Sequence, residues 1–553
     1  MRHTPDSVNT SSRARAVPVR VTLLGLAALA ALVLPVLLAG TPERAGEVSA
    51  GSTHDPPPAL DPAPPPATPP QPPDTSPAVP PPSSPEELPE AATEEPETWV
   101  DGASFGQPPA NATPGVLTFR GSPTRSWYGT GPVPRNPILL WRFPQNENMC
   151  SFSSYHGEQI EWCGTGWTGQ VAVFERDGRT WVVFGAFDNN VHFLDAATGE
   201  RLLADFETGD LIKTSVVIDP DEHPLAYFGS RDNFFRIVAF DRPEPTELWS
   251  LGAYDYGPGL WNDDWDSTPL VLNDYLFLGG ENSRFFVIRL NRGYGADGLV
   301  TVDPEVVFHW AGWDDQLLAD LEESDQGHYN VAIESSPAIW ENTLYYANSG
   351  GLVTGWDISG LAEGLMPEQV FRFWAGDDID ATPVVDEEGY LYVGVEYEAR
   401  ETARAREVGQ LVKLDPSRPT DPIVWSVHDR SEAAQRGVWS TPVVWRDMVY
   451  ATTHTGRFWG VDRETGRIRW EKRFAELLWS SPIVIDETLI LADGAGRITA
   501  YDVSDTSIEP PIVWQLQVGN EWRFESSPVI WDGVIYVGGR SGAMYAVGDA
   551  GRR

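Results

Sequence analysis

The chain has 553 residues, too many for one ordinary domain, and its 48 Pro and 51 Gly are too much punctuation for a protein of long helices. With 41% hydrophobic residues and 23 Trp it can build a large core, so wholesale disorder is excluded as well. Lys plus Arg number 39 against 80 Asp plus Glu, a formal net charge of -41, and a field of that sign repels phosphate backbones and argues against nucleic acid as a partner. Two Cys exclude a disulfide-rich scaffold and a multi-Cys zinc or iron–sulfur centre.

Residues 1–20 form a basic segment carrying Arg2, Arg13, Arg15 and Arg20. Residues 21–42 carry no charge, and as a helix they would span roughly 33 Å, enough for a hydrocarbon core of about 30 Å. The run exceeds the usual signal-peptide core of about 7 to 15 residues, so the expectation is a retained signal anchor: a single-pass cell-membrane protein with the basic flank in the cytoplasm and the remainder outside. Cleavage would make it secreted instead. Residues 43–114 read as a disordered linker of Pro, Ala and acidic residues, because 17 of the 35 residues between Pro56 and Glu90 are Pro and favour extended polyproline II.

From residue 115 a phrase recurs eight times: a small polar pair, then Pro or Val, then a short apolar run. The anchors are Val171, Val216, Pro269, Pro337, Pro383, Pro442, Pro482 and Pro528, which span 357 residues at a period of about 51. Each period holds four short runs separated by hairpin-length turns, the pattern of a four-stranded antiparallel propeller blade. The fourth run usually contains Trp (Trp249, Trp310, Trp374, Trp425, Trp470, Trp514), with Leu203 in that place in the first unit. The eighth unit stops before a fourth run, and an orphan run, ILLWRFP with Trp141, stands ahead of the first. The fold expected for 115–549 is therefore an all-β, eight-bladed β-propeller whose ring closes when the N-terminal run completes the last blade.

The stretch GVDRETGRIRW at 460–470 resembles the A-x-D-x-x-T-G-x-x-x-W docking repeat of the pyrroloquinoline-quinone (PQQ) repeat superfamily, and FLDAATGERLL at 193–203 is similar. The resemblance implies an eight-bladed propeller and divides the expectations for function. Members include quinoprotein dehydrogenases and non-enzymatic extracytoplasmic proteins. The adjacent half-cystines of the alcohol dehydrogenases and the haem motif C-x-x-C-H are both missing here. Acid–amide pairs able to hold calcium occur at Glu281-Asn282 and Asp232-Asn233, but in tight turns that favour those residues for backbone reasons. No cofactor is firmly implied; Ca2+ and PQQ are the candidates. The leading expectation is a membrane-anchored binding or scaffolding module outside the cytoplasm, with a protein or cell-envelope partner and no catalytic residues. The alternatives are a PQQ- and calcium-dependent dehydrogenase and a carbohydrate or cell-wall binder.

Cys150 and Cys163 are close in sequence, and in an exported protein they are expected to be bridged. The second-to-third turns and the fourth-to-first loops of all blades should meet at one end of the channel, where binding sites on such folds gather. Three residues before each anchor come Thr168, Lys213, Asp266, Glu334, Asp380, Trp439, Trp479 and Glu525. Four carboxylates in that ring would favour a cation or metal ion, the two Trp would add cation–π surface, and Lys213 would mark the side the ligand avoids. The competing reading is a solvated rim of ordinary acidic residues.

Overall fold

The computed structural model describes residues 98–155, 157–166, 169–323, 329–397 and 402–551. The basic segment, the apolar run 21–42 and the linker up to residue 97 lie outside the described residues. Among those described, no helix is long and apolar enough to cross a membrane.

Eight blades form, each a four-stranded antiparallel unit; the inner edge of blade 1 carries one further short strand, Gly115–Val116. Blade 3 shows the pattern: Leu270–Leu272, Tyr275–Gly279, Arg284–Arg289 and Glu305–Ala311 run from the channel outwards. In blades 2 to 8 the register between third and fourth strands slips, a bulge that adds twist to the outer edge. The ring closes as the sequence implies. Pro137–Phe143 pairs with Ala543–Asp549 as the outer strand of blade 8, with Ile138 opposite Gly548 and Phe143 opposite Met544. The core is a succession of blade-to-blade interfaces: Phe174 with Phe228, for example, lies between blades 1 and 2, and Leu225 with Leu276 between blades 2 and 3.

The docking repeat has a concrete role. In the turn after the third strand of blade 1, Asp195 Oδ1 accepts hydrogen bonds from the backbone N–H of Ala197 and of Thr198. Gly199 follows at φ 70°, a left-handed conformation, and a Cβ there would lie 2.7 Å from the indole of Trp141. Trp141 of blade 8 therefore seats on this turn and donates its Nε1–H to Ala196 O at 2.8 Å. Asp462, Thr465 and Gly466 build the same seat in blade 6 for Trp425 of blade 5, which donates to Arg463 O at 3.0 Å. A motif within one blade thus grips the Trp of the blade before it.

The small polar pair of the repeat is explained by a ring of hydrogen bonds around the channel. The backbone N–H preceding the anchor in one blade donates to the hydroxyl at the same position in the next: Gln170 to Ser215, Ser215 to Thr268, Thr268 to Ser336, Ser336 to Thr382, Thr382 to Thr441 and Thr441 to Ser481, at 2.9 to 3.4 Å. Ser480 Oγ donates to Ser526 O, and Ser527 N–H donates to Gly169 O, which completes the circle.

Residues 113–130 fill the channel, a feature the sequence reading did not anticipate. They reach the inner strand of every blade. Gly115 and Val116 pair with Phe174 and Val173 of blade 1. Leu117 O accepts from Ile218 N–H, Thr118 Oγ1 donates to Pro269 O, Pro123 O accepts from Ile339 N–H, and Thr124 O accepts from Val385 N–H. Arg120 donates to Pro442 O and Pro482 O, both at 2.8 Å, and Thr130 N–H donates to Ile530 O. Arg125, as fully buried as Arg120, donates to Pro337 O at 2.7 Å. The anchor prolines contribute no N–H, so their carbonyls are what the inner edge presents to these guanidinium groups. Burial lowers the pKa of Arg125 to about 9.

Residues 98–114, assigned to the linker on sequence, also pack on the propeller. Trp99 meets Tyr275 and Phe277 edge-on, and Val100 N–H donates to Glu341 O, both at the end of the channel opposite the second-to-third turns. Cys150 and Cys163 are bridged across the hairpin Cys150–Tyr155 and Glu158–Cys163, where they stand directly opposite each other. A loop of that size contributes about 3 kcal/mol on a chain-entropy account.

Trp141→Ala should remove both the seat on Gly199 and the hydrogen bond to Ala196, so denaturant unfolding should show a loss of about 3 to 5 kcal/mol. A loss below about 1 kcal/mol would mean that the ring is closed elsewhere.

Candidate functional site at the channel mouth

The two kinds of connection meet at one end, as the strand order requires. Arg231 N–H, in the second-to-third turn of blade 2, donates to Leu211 O in the preceding fourth-to-first loop; Glu281 pairs likewise with Asp264, and His454 with Gly437. The Cys150–Cys163 hairpin lies over the same end, where Ser151 Oγ donates to Asn189 Oδ1 and Ser153 Oγ to Asp210 Oδ2. Phe119, from the channel-filling plug of residues 113–130, forms part of the floor of this mouth.

Thr168 lies outside the described residues. Of the other seven ring positions, three come together. The Lys213 ammonium donates to Asp266 Oδ2 at 2.6 Å and stands 3.5 Å from Glu281 and 3.6 Å from Asp264. Carboxylate oxygens of Asp266, Glu281 and Glu334 lie within 4.8 Å of one another, and Arg231 pairs with Asp264 at 2.6 Å. Lys213 therefore sits inside the carboxylate group and not apart from it. Burial alone would lower its pKa, but Asp266, Glu281 and Asp264 outweigh that and raise it well above the usual lysine value. Burial, followed by the charge of Asp266, pushes Glu334 up to about 8, and burial likewise raises Glu281. Asp264 and Glu281 fall outside the counted positions, Asp264 two residues before Asp266 and Glu281 in the second-to-third turn of blade 3.

Asp380, Trp439 and Trp479 line a second feature, a small cup with about 290 Å³ of space including its open side. Phe119 and the ring hydroxyls of Ser336, Thr382, Thr441 and Ser481 complete its lining. The two indoles stack on each other, 4.8 Å apart at 15°. Arg523 covers Trp479 at 4.4 Å, so cation–π contact exists here already, made by the chain itself. Trp479 Nε1–H donates to His454 Nδ1 at 2.9 Å; burial, with Arg523 nearby, holds the His454 pKa at about 4, so the acceptor nitrogen is unprotonated at neutral pH. Glu525 faces Arg523 at 2.9 Å and Arg540 at 3.4 Å. No sequence signal marked Phe119 or Arg523 for this place.

PQQ is a flat tricarboxylate, and a seat for it needs cationic donors above an open floor. The cup offers Asp380 as its charged lining group and an aromatic side chain from the plug as its floor, so the residues present do not fit that cofactor. The two acid–amide turns do not fit calcium either. Asp232 is held by Arg236, and Asn282 spends its amide on Ala253 O and the Arg284 N–H. In the carboxylate group Lys213 stands where a cation would bind.

Residues 408–553 match the family described as outer membrane protein assembly factor BamB. No curated protein matches the chain significantly. Among solved structures, BamB from Moraxella catarrhalis is 13% identical with a TM-score of 0.46, covering 75% of this chain and 98% of its own. The computationally designed protein Ika8 is 12% identical with a TM-score of 0.46, covering 69% of this chain and 96% of its own.

Two outcomes test the electrostatic account. A carboxyl whose folded pKa lies above its unfolded value binds a proton more tightly when folded, so stability falls as pH rises from about 4.5 to about 8. Glu334→Gln should flatten that fall in melting temperature, and an unchanged slope would contradict it. Lys213→Met should leave Asp266, Glu281 and Glu334 without their ammonium, so calcium should raise the melting temperature of the variant and not of the parent. Equal stabilisation of both would show that Lys213 does not fill a cation position.

Proposed function

We propose that this chain, a member of the PQQ-repeat β-propeller superfamily, is an exported and membrane-tethered scaffold that binds a protein partner through its mouth face. The observation that carries the reading is the plug. Residues 113–130 occupy the channel in which a propeller of this kind would otherwise hold a small molecule, and they do so with contacts to all eight blades. What remains accessible is a broad loop-built surface, the kind of surface that recognises another macromolecule. The uncharged run 21–42 and the proline-rich stretch behind it supply the tether and the spacer. The chain enters the propeller at Trp99 and Val100, on the end away from the mouth.

Protease added to intact protoplasts should release a soluble fragment of about 45 to 50 kDa, and a fully protected protein would contradict export. In the same cells, a photo-crosslinker at Trp522 on the mouth face should form protein adducts that one at Glu464 on the opposite end does not. Adducts from neither position would overturn the binding reading.

A further inference from the structure

Seven aromatic side chains are exposed among the described residues, and six of them are at the mouth: Phe152, Phe234, Tyr254, Trp261, Tyr329 and Trp522. Only Tyr294 lies elsewhere. Phe152 is 65% exposed on a strand of the disulfide-bridged hairpin, opposite Glu161, and Tyr254 is 54% exposed in the loop between blades 2 and 3. Exposed aromatic side chains gathered on one face of a soluble fold mark an interaction surface, because each leaves costly apolar area in water that a partner would cover.

The charges on this face are not evenly spread. In the loops joining blades 2 to 3, 3 to 4 and 4 to 5, the described residues 253–269, 312–322, 329–337 and 375–383 together contain 12 Asp or Glu and no Lys or Arg. Further round, the blade 5-to-6 loop is mixed, with Arg430 and Arg436 offsetting Asp429 and Glu432, the 6-to-7 loop carries a single acid, Glu476, and in the 7-to-8 loop Arg523 lies beside Glu525. Tyr254, Trp261 and Tyr329 belong to the acid-only sector. Lys213 and Arg231 pair with Asp266 and Asp264, and Arg372 pairs with Asp314, while Asp263, Asp315 and Glu322 belong to the same loops further out.

The chain also carries its own examples of how a cationic side chain is held here. Lys213 places an ammonium among Asp266, Glu281 and Asp264, and Arg523 lays a guanidinium over Trp479. Both modes use groups of the kinds that the acid-only sector presents to solvent, carboxylates and aromatic faces.

The geometry points to a specific occupant: the mouth sector of blades 2 to 5 docks an extended, lysine- and arginine-rich segment of a partner protein. This rests on the binding reading above and adds the chemistry of the partner. The carboxylates would speed and orient the encounter, while Tyr254 and Trp261 would cover the aliphatic stems and cationic heads of the basic residues. An anionic or purely apolar partner would meet repulsion or unpaired buried carboxylates in the same place.

The test uses the full-length chain and an unstructured peptide of alternating lysine and serine, with the same peptide carrying glutamine for lysine, and spermine, as comparisons. At physiological ionic strength, where screening extends over about 8 Å, titration should show the lysine peptide binding and the glutamine peptide not. Asp263→Asn, Asp315→Asn and Glu322→Gln combined should weaken that binding about tenfold, since each exposed pair contributes up to about 1 kcal/mol. Neutralising the same number of exposed acids at the other end, Asp177→Asn, Glu222→Gln and Glu464→Gln, should leave it unchanged. Tyr254→Ala with Trp261→Ala should weaken the lysine peptide several-fold, and spermine as well, since it too carries ammonium groups on aliphatic stems. These six acids are surface groups, and an unchanged melting temperature verifies that each variant is folded.

Equal weakening by both sets of neutralisations, or an aromatic variant that binds as the parent does, would reduce the effect to the net charge of the molecule and overturn the inference. Absence of binding would overturn it as well. In either case adducts from a crosslinker at Trp522 would still stand for a partner of other chemistry, so failure here is separable from failure of the binding reading.

Discussion

Eight sheets radiating from one axis create a problem at their inner edges. Every innermost strand leaves a row of backbone N–H and C=O groups facing the channel, and each such group left buried and unsatisfied costs on the order of 1 to 3 kcal/mol. This chain answers the problem twice. At the mouth end, a side-chain hydroxyl in nearly every blade accepts the N–H of its neighbour, which ties the sheets into a circle. Deeper in, residues 113–130 bring their own donors and acceptors to the remaining edges.

The two buried arginines follow from that constraint. Prolines at the blade anchors suit an edge position because they lack an N–H, but they leave strongly polar carbonyls converging on the axis. A guanidinium has five N–H donors in a fixed fork and can collect several such carbonyls at once. Arg120 spans blades 6 and 7 in this way, while Arg125 reaches blade 4 and also Phe119 O within the plug. Neither has a carboxylate partner among the described residues, and burial depresses both pKa values. The cation is held by dipoles, which is affordable only because many converge on it, and the result is a plug that cannot leave without abandoning charge-assisted hydrogen bonds in several blades.

Much of this was legible in the sequence because it repeats. The period of about 51 residues, the four runs per period and the orphan strand with Trp141 fixed the blade count and the closure. Each feature is a demand made on every blade, so it recurs and can be aligned by eye. The plug makes different demands of each blade, and its sequence, LTFRGSPTRSWYGTG, has no period of its own and is rich in turn-forming Gly and Ser. It reads as an approach to the first blade. The mouth suffered from the same limit. Counting three residues back from the anchors found Asp266, Glu334 and Lys213, but contact between Lys213 and the Glu281 turn crosses from one blade to the next and has no signature along the chain.

The two ends of the propeller are consequently built to different rules. At the end where the chain enters, the Asp-Thr-Gly turns and the Trp residues they seat lock adjacent blades, and salt bridges such as Arg463 with Asp386 reinforce them between blades 5 and 6. A substitution there is felt in the ring. At the mouth the ring is already secured by hydroxyls one layer below, so the loops above it are released from structural duty. That release is what permits a 26-residue loop with a helix at Asp315–Glu323, a projecting disulfide-bridged hairpin, and three successive connections without a single basic residue. Carboxylates at such density work against the compact state through self-repulsion, and a fold tolerates them best away from the contacts that lock its blades together.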